Sequence, residues 1–343
     1  MGRAKRASRW AMENKQASNR NENKSALKGM DMAVCGVQRS LFHRASGIVS
    51  NYAWFQIFIT MRPKQWIKNT VVFAALIFSQ KLFDHHALLM SFLAFFLFCL
   101  IAGSVYLLND VIDKEGDKRH PFKKLRPVAS GSLSTATAIT CAALLAIVSL
   151  GVAILVDGWF GVILATYYGI NLAYSRYLKH LVIIDVMVIA LGFVLRAVGG
   201  AVIINVEISP WLIICTTLLA LFLGFGKRRH ELVTMNEEAH NHRPILSEYS
   251  PYFLDQMISV LTASTVVAYA LYTMSPEVQA KLHTSHLNLT IPFVLYGIFR
   301  YLYLIHQKKS GGNPTSVLFT DKPLLINIVL WMITACIILY FLK

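Results

Sequence analysis

The chain has 343 residues, of which 55% are hydrophobic and only 15% charged, with a mean hydropathy of +0.51. That charged share is well under the roughly 25% of soluble domains, and successive apolar runs approach the ~20 residues that span a bilayer. A soluble globular enzyme is excluded, and the chain reads as a polytopic membrane protein. The formal net charge is +15, but its placement points to membrane orientation and anion binding, with no nucleic acid as partner.

In chain order, residues 1–55 come first. They are rich in Asn, Ser, Lys, Arg and Ala without a sustained apolar period, the composition of a disordered basic tail. Residues 56–343 read as one all-α transmembrane catalytic domain. Nine spans are expected there: Trp66–Phe83, Ala87–Leu108, Thr135–Val156, Trp159–Tyr174, Leu181–Asn205, Trp211–Gly226, Tyr252–Met274, Leu289–Leu304 and Leu324–Leu342. A β-barrel would show ten-residue alternation instead, so a helix bundle is the architecture. Of 33 Lys and Arg residues, 29 fall in residues 1–68, 111–133, 174–180, 227–250 and 300–322, which are the tail and alternate connections. Basic connections face the cytoplasm, so the N-terminus is inside and the C-terminus outside. The five cysteines show no paired spacing, and four sit inside apolar runs. Neither a disulfide framework nor a thiol metal site is indicated. The histidines lack ligand spacing.

The first polar cluster opens the expected first span. In Met61–Asn69, MRPKQWIKN, the cations Arg62, Lys64 and Lys68 surround Trp66. Trp66 and Lys68 have the composition of an interfacial anchor. Pro63 stiffens the entry, and Lys64 is a candidate for the bundle mouth.

The second cluster follows the uncharged run Ser91–Leu108. Asn109–Pro127 reads NDVIDKEGDKRHPFKKLRP. On a continuing helix Asp110, Asp113 and Asp117 share one face, with Asn109 at its edge. Such a set of carboxylates is an oxygen site for a hard cation. Mg²⁺ takes one or two carboxylates plus substrate phosphates. The competing reading is a solvated helix end whose acids pair with Lys114, Lys118 and Arg119. Lys123, Lys124 and Arg126 are candidates for phosphate oxygens.

Two further clusters lie on the same side. Asp185 sits near the cytoplasmic end of a span, and Arg196 lies eleven residues on, about 16 Å deeper on the same face. Ionisable groups at that depth face a cavity or a partner, so a structural interhelix ion pair competes with a site role. In GFGKRRHEL, Gly224–Leu232, Lys227 and Arg228 are within reach of a phosphate, although a stop-transfer cluster has the same composition. A last connection, Arg300–Leu325, carries a Gly-Gly-Asn-Pro turn and Thr320-Asp321-Lys322-Pro323. No Walker-type phosphate loop is present, which disfavours nucleotide hydrolysis.

With these segments in hand, the chain resembles the UbiA superfamily of intramembrane transferases. Its N-D-x-x-D-x-x-x-D motif is matched by Asn109, Asp110, Asp113 and Asp117. The resemblance runs from about Arg62 to the C-terminus. RPKQWIKN, YSRYLKH, GFVLRAVGGA, GKRRHEL and GGNPTSVLFTDKPLL make it most like the branch that moves 5-phosphoribosyl onto polyprenyl (decaprenyl) phosphate. Prenyl-diphosphate members usually carry a second acidic motif, D-x-x-x-D; here Asp185 is followed at the fourth position by Ile189.

The resemblance implies an integral protein of the bacterial inner membrane with nine helices and a cytoplasmic active site. It implies Mg²⁺ held by Asp110, Asp113 and Asp117, and Asp185 as a further catalytic residue. Arg62, Lys64, Asn109, Lys123, Arg126, Tyr174, Lys179, Lys227 and Arg228 would bind substrate. The substrates would be 5-phosphoribosyl 1-diphosphate and polyprenyl phosphate, diphosphate would leave, and the product would feed cell-wall glycan assembly. The alternative is prenyl transfer to an aromatic acceptor such as 4-hydroxybenzoate. A transporter without turnover is a third reading, disfavoured by the lack of a clear repeat and by charges gathered at one face.

Overall fold

The computed structural model describes residues 53–120, 123–235, 244–308 and 314–342. By contacts the chain divides into two units, 1–56 and 57–343. Of the first, only the start of a short helix, Ala53–Thr60, is described, so the expected tail lies almost wholly outside the described residues.

The second unit is helical throughout its described residues. A 3₁₀ segment, Pro63–Val72, leads into α1 (Phe73–Phe78). Then come α2 (His85–Ile112), α3 (Thr135–Val156), α4 (Gly158–Arg176) and α5 (Ile184–Ile203). They are followed by α6 (Pro210–Met235), α7 (Pro251–Met274), α8 (Ile291–His306) and α9 (Lys322–Phe341). Each expected span has a helical counterpart. Seven helices among the described residues are long and apolar enough to cross a membrane. The other two expected spans differ for physical reasons. α4 carries Tyr167, Tyr168, Asn171 and Tyr174, which lower its hydropathy. The expected span Trp66–Phe83 is broken into the 3₁₀ segment and the six-residue α1.

Local chemistry explains the break. Arg62 is left-handed, at φ 54°, and Pro63 follows at the first position of the 3₁₀ segment. Lys64, Gln65, Lys68 and Asn69 then leave no continuous apolar stripe. The break is held against α5 by a close backbone approach. A Cβ on Gly200 would stand 2.1 Å from the Val72 carbonyl oxygen, so only glycine lets the two segments touch.

Side chains fix the starts of five of the long helices. Asp84 accepts from the amides of His86 and Ala87, and Asp157 accepts from that of Phe160. Ser134, Ser250 and Asp321 cap α3, α7 and α9 in the same way. Each such cap contributes about 1 kcal/mol. Arg300 also pairs with Asp321, and this bond, ahead of the cap itself, holds the Asp321 carboxyl below its ordinary range.

Four apolar clusters lie inside the bundle among the described residues, two of them large. One is built on Val72, Leu76, Phe98, Phe160 and Tyr167, and the other on Phe222, Tyr249, Leu254, Ile258 and Tyr301. Large apolar side chains such as Trp159, Leu155 and Phe341 point outward. An outer face of this kind suits lipid, and the chain is an integral membrane protein. Inside, a cavity of about 1490 Å³ is lined by Arg62, Lys68 and Asn109 together with apolar side chains of α5 and α6.

Candidate active site

The acidic cluster forms where α2 stops. The Asp113 amide bonds the Asn109 carbonyl and the Asp117 amide bonds that of Asp113, at 2.9 and 2.8 Å. The i→i−4 ladder therefore continues from α2 into the short helix Lys114–Arg119, and the three acids keep their helical spacing. Asp110 is 2% exposed. Two arginines meet it: Arg62 Nη2 at 2.5 Å and Arg126 Nη1 at 3.2 Å from Oδ1. Arg126 Nη1 also lies 2.6 Å from Asp117 Oδ2. The Arg62 guanidinium covers the Tyr106 ring at 4.8 Å.

Asp113 turns another way. Its Oδ1 accepts from Lys179 Nζ at 3.0 Å, which brings the connection after α4 onto the cluster. Asn109 lines the cavity beside Arg62. The Lys123 amide bonds His120 Nδ1, which keeps that residue next to the short helix. Lys64 is exposed.

A second constellation centres on Asp185, which is fully buried at the start of α5. It accepts from Arg228 Nε at 2.6 Å and from the Tyr249 hydroxyl at 2.9 Å. Arg228 is 1% exposed and pairs with Glu231 as well. Its Nη2 stands 3.5 Å from the Tyr174 hydroxyl. Arg228 is thus enclosed by carboxylates, whereas Lys227, beside it, lines the cavity with Tyr174 and has Glu231 Oε1 at 3.6 Å.

Tyr249 was not singled out in the sequence. Its hydroxyl accepts from the Ile183 amide at 2.7 Å while donating to Asp185. Burial pushes this hydroxyl up to about 12, so it stays protonated near neutral pH. Ile183 is held at φ 68°, a strained value for a β-branched residue. Only structure could join Tyr249 to Asp185, because 64 residues separate them.

The donor set can be tested against a hard cation. Asp110 and Asp117 both reach one nitrogen of Arg126, so a single positive point already satisfies both carboxylates. Among the described residues no group of three His, Cys, Asp or Glu converges on a metal position. Two carboxylates completed by substrate oxygens fit the way Mg²⁺ is usually bound. Asp113 is paired with Lys179 instead of Arg126.

An all-α membrane bundle whose acidic helix end is ringed by arginines and opens on an apolar cavity defines an intramembrane enzyme of the UbiA type. Residues 70–321 match the model of the UbiA prenyltransferase family. The chain belongs to that family and is a transferase. It is 32% identical over 292 residues to the decaprenyl-phosphate phosphoribosyltransferase of Mycolicibacterium smegmatis, covering 82% of this chain and 91% of the relative. The enzyme of the same name from Corynebacterium glutamicum is 30% identical over 284 residues, covering 81% of this chain and 84% of the relative. Among solved structures, a UbiA homolog from Archaeoglobus fulgidus bound to GPP and Mg²⁺ superposes with a TM-score of 0.61 at 18% identity, covering 82% of this chain and 98% of that one. That likeness concerns the fold.

Proposed function

We propose that the chain transfers 5-phosphoribosyl from 5-phosphoribosyl 1-diphosphate to a polyprenyl phosphate of the decaprenyl type, on the cytoplasmic face of a bacterial inner membrane. The relatives from Mycolicibacterium and Corynebacterium support the reaction. One structural observation carries the choice of donor. Asp185 is fully buried against Arg228, with Ile189 where a second acid would stand, whereas Asp110 and Asp117 meet at Arg126 next to Arg62 and Asn109, which line the cavity. One acidic site suits one diphosphate. Residues 56–343 act as the catalytic domain in this reading, and residues 1–55 as a basic tail.

The proposed chemistry is a displacement at ribose C1. An oxygen of the lipid phosphate forms the new bond to C1. The C1–O bond to diphosphate breaks, and its electron pair leaves with diphosphate. The lipid phosphate is already anionic, so no general base is needed. Asp110 and Asp117, with Asp113 nearby, would hold Mg²⁺, which would supply charge neutralisation for the departing diphosphate. With a cation on the carboxylates, Arg62 and Arg126 would be free to turn to phosphate oxygens. Lys179, Lys123 and Lys64 extend the positive rim on the cytoplasmic side, and Lys227 does so inside the cavity mouth. Asn109 and Tyr174 offer hydrogen bonds at the same mouth. Asp185, Arg228 and Tyr249 hold α5 and α6 in register around it.

The test is donor choice. Purified protein in detergent with Mg²⁺ receives either 5-phosphoribosyl 1-diphosphate and a polyprenyl phosphate, or a prenyl diphosphate and 4-hydroxybenzoate. A phosphoribosyl lipid detected by mass spectrometry in the first mixture alone is the expected result. A prenylated aromatic in the second alone would overturn the assignment.

A further inference from the structure

The cavity contains a buried cation of a different kind from those at the acidic cluster. Arg196 is 7% exposed and projects from the middle of α5. Its Nε donates to Asn69 Oδ1 at 2.6 Å, Nη2 to the Tyr167 hydroxyl at 2.6 Å and Nη1 to the Gly192 carbonyl at 2.8 Å. The guanidinium also lies over the Tyr167 and Phe193 rings, at 4.8 and 5.2 Å. Every one of these partners is uncharged. Among the described residues no carboxylate lies within ion-pair distance of Arg196. Arg228, at 1% exposure, has two.

Lys68 lines the same cavity as Arg196. Among the described residues it makes neither a hydrogen bond nor an ion pair. It stands near enough to Lys227, Arg196 and Arg62 for their charges to repel it. Of the six Lys and Arg residues that line the cavity, these four lie close together, and the wall around them is mostly apolar. A buried cation with no counter-charge is costly, and the cost falls when an anion arrives.

The guanidinium is also held in place beforehand. Asn69 comes from the 3₁₀ segment, Tyr167 from α4 and Gly192 from α5 itself. Asn69 is steadied in turn by a bond from Nδ2 to Cys99 Sγ on α2. Three helical elements therefore aim one planar fork, and it is the fork that recognises phosphate oxygens.

We propose that Lys68 and Arg196 form a phosphate subsite deeper in the bundle than the acidic cluster, taking a phosphomonoester rather than the diphosphate. Several cations suit a dianion better than a single carboxylate. The proposal rests on the phosphoribosyl-transfer reading for the identity of the two candidate groups, the ribose 5-phosphate and the lipid phosphate.

The experiment is calorimetric binding to the purified full chain in detergent, for wild type, Lys68→Met and Arg196→Lys. The probes are ribose 5-phosphate, geranyl phosphate, Mg²⁺ with pyrophosphate, and 4-hydroxybenzoate. Lys68 is part-exposed, so Lys68→Met is the variant least burdened by folding. In both variants one phosphomonoester should bind tenfold or more weakly, with pyrophosphate affinity within twofold of wild type. The probe that weakens identifies the source of the phosphate. A merely structural role for Arg196 would affect all probes alike and would leave Lys68→Met silent. Unchanged binding of both phosphomonoesters in Lys68→Met, or loss of 4-hydroxybenzoate alone, overturns the subsite. Failure of the wild type to transfer phosphoribosyl, with geranyl phosphate still weakened in Lys68→Met, removes the functional reading and keeps the subsite. Normal transfer with unchanged KM for both substrates in that variant does the opposite.

Discussion

The Lys179 ammonium lies 3.0 Å from Asp113 Oδ1, across a sequence separation of 66 residues. The pair ties the connection after α4 to the end of α2. Both partners remain partly exposed, at 21% and 32%. Such a pair contributes at most about 1 kcal/mol to stability. Lys179→Met should therefore leave the melting temperature in detergent nearly unchanged. It should raise KM for the ribose donor about tenfold, the equivalent of about 1.4 kcal/mol. Steady-state kinetics beside a thermal melt check both halves.

Arg126 has the opposite balance. Among the described residues it alone pairs with both Asp110 and Asp117, whose side chains are 2% and 6% exposed. Arg126→Met leaves that buried pair with less positive charge than it needs. Loss of one partner from a fully buried pair costs roughly 3–5 kcal/mol. Arg62 still covers Asp110 and Arg126 is part-exposed, so about 2 kcal/mol is expected here. Added Mg²⁺ should restore stability in Arg126→Met more than it raises that of wild type, by mass action on the folded state. Melts with Mg²⁺ and with EDTA measure this without any turnover. Equal Mg²⁺ effects in the two proteins would contradict the assignment of Asp110 and Asp117 as ligands.

Tyr249→Phe removes the acceptor of the Ile183 amide and the donor to Asp185, while keeping the ring stacked on Phe253. The buried Asp185 carboxylate and the part-buried Ile183 amide each lose a partner, and a loss of about 1–3 kcal/mol follows. The hydroxyl is raised from 10.0 to about 12 in the fold, chiefly by burial. Its contribution is fully present below pH 10 and is lost as pH rises through 12. The wild type should therefore lose stability over that alkaline window, and Tyr249→Phe should lose less of it. Ile183→Gly should act the other way and gain about 1 kcal/mol, by removing backbone strain at an exposed position.

Two glycines give a contrast in packing. A Cβ on Gly200 would lie 2.1 Å from the Val72 oxygen and 2.8 Å from its carbonyl carbon, both backbone atoms. Gly200→Ala must push the 3₁₀ segment off α5, and roughly 3 kcal/mol or more should be lost. Gly116 has nothing within 4 Å of its added Cβ. Gly116→Ala should be neutral, or stabilise by up to about 1 kcal/mol through helix propensity. Folded yield after purification in detergent separates the two.

Much of this was legible in the sequence where the signal is local. The i, i+3, i+7 spacing of Asp110, Asp113 and Asp117 needs only helical periodicity, and the long spans need only apolar length. The broken first span had a local cue as well, since Lys68 and Asn69 lie inside it. What stayed hidden depends on contacts distant in sequence. Arg62 meets Asp110 across 48 residues, and Asn69 meets Arg196 across 127. No periodicity encodes such pairings. Asp185 and Arg196 looked alike as ionisable groups on one helix. The bundle separates them, because Arg228 neutralises Asp185 while, among the described residues, no carboxylate pairs with Arg196.

The most direct test of the account measures where transfer happens. Wild type and Asp110→Asn are each given ¹⁴C-labelled 5-phosphoribosyl 1-diphosphate and polyprenyl phosphate, with Mg²⁺ or with EDTA, and label is counted in the lipid phase. The account predicts rapid labelling by wild type that EDTA abolishes. It predicts a rate for Asp110→Asn lower by about a thousandfold, close to 4 kcal/mol of barrier, in a variant that still melts as a folded protein. Labelling by folded Asp110→Asn at the wild-type rate would contradict the claim that the acidic end of α2 is the reaction centre.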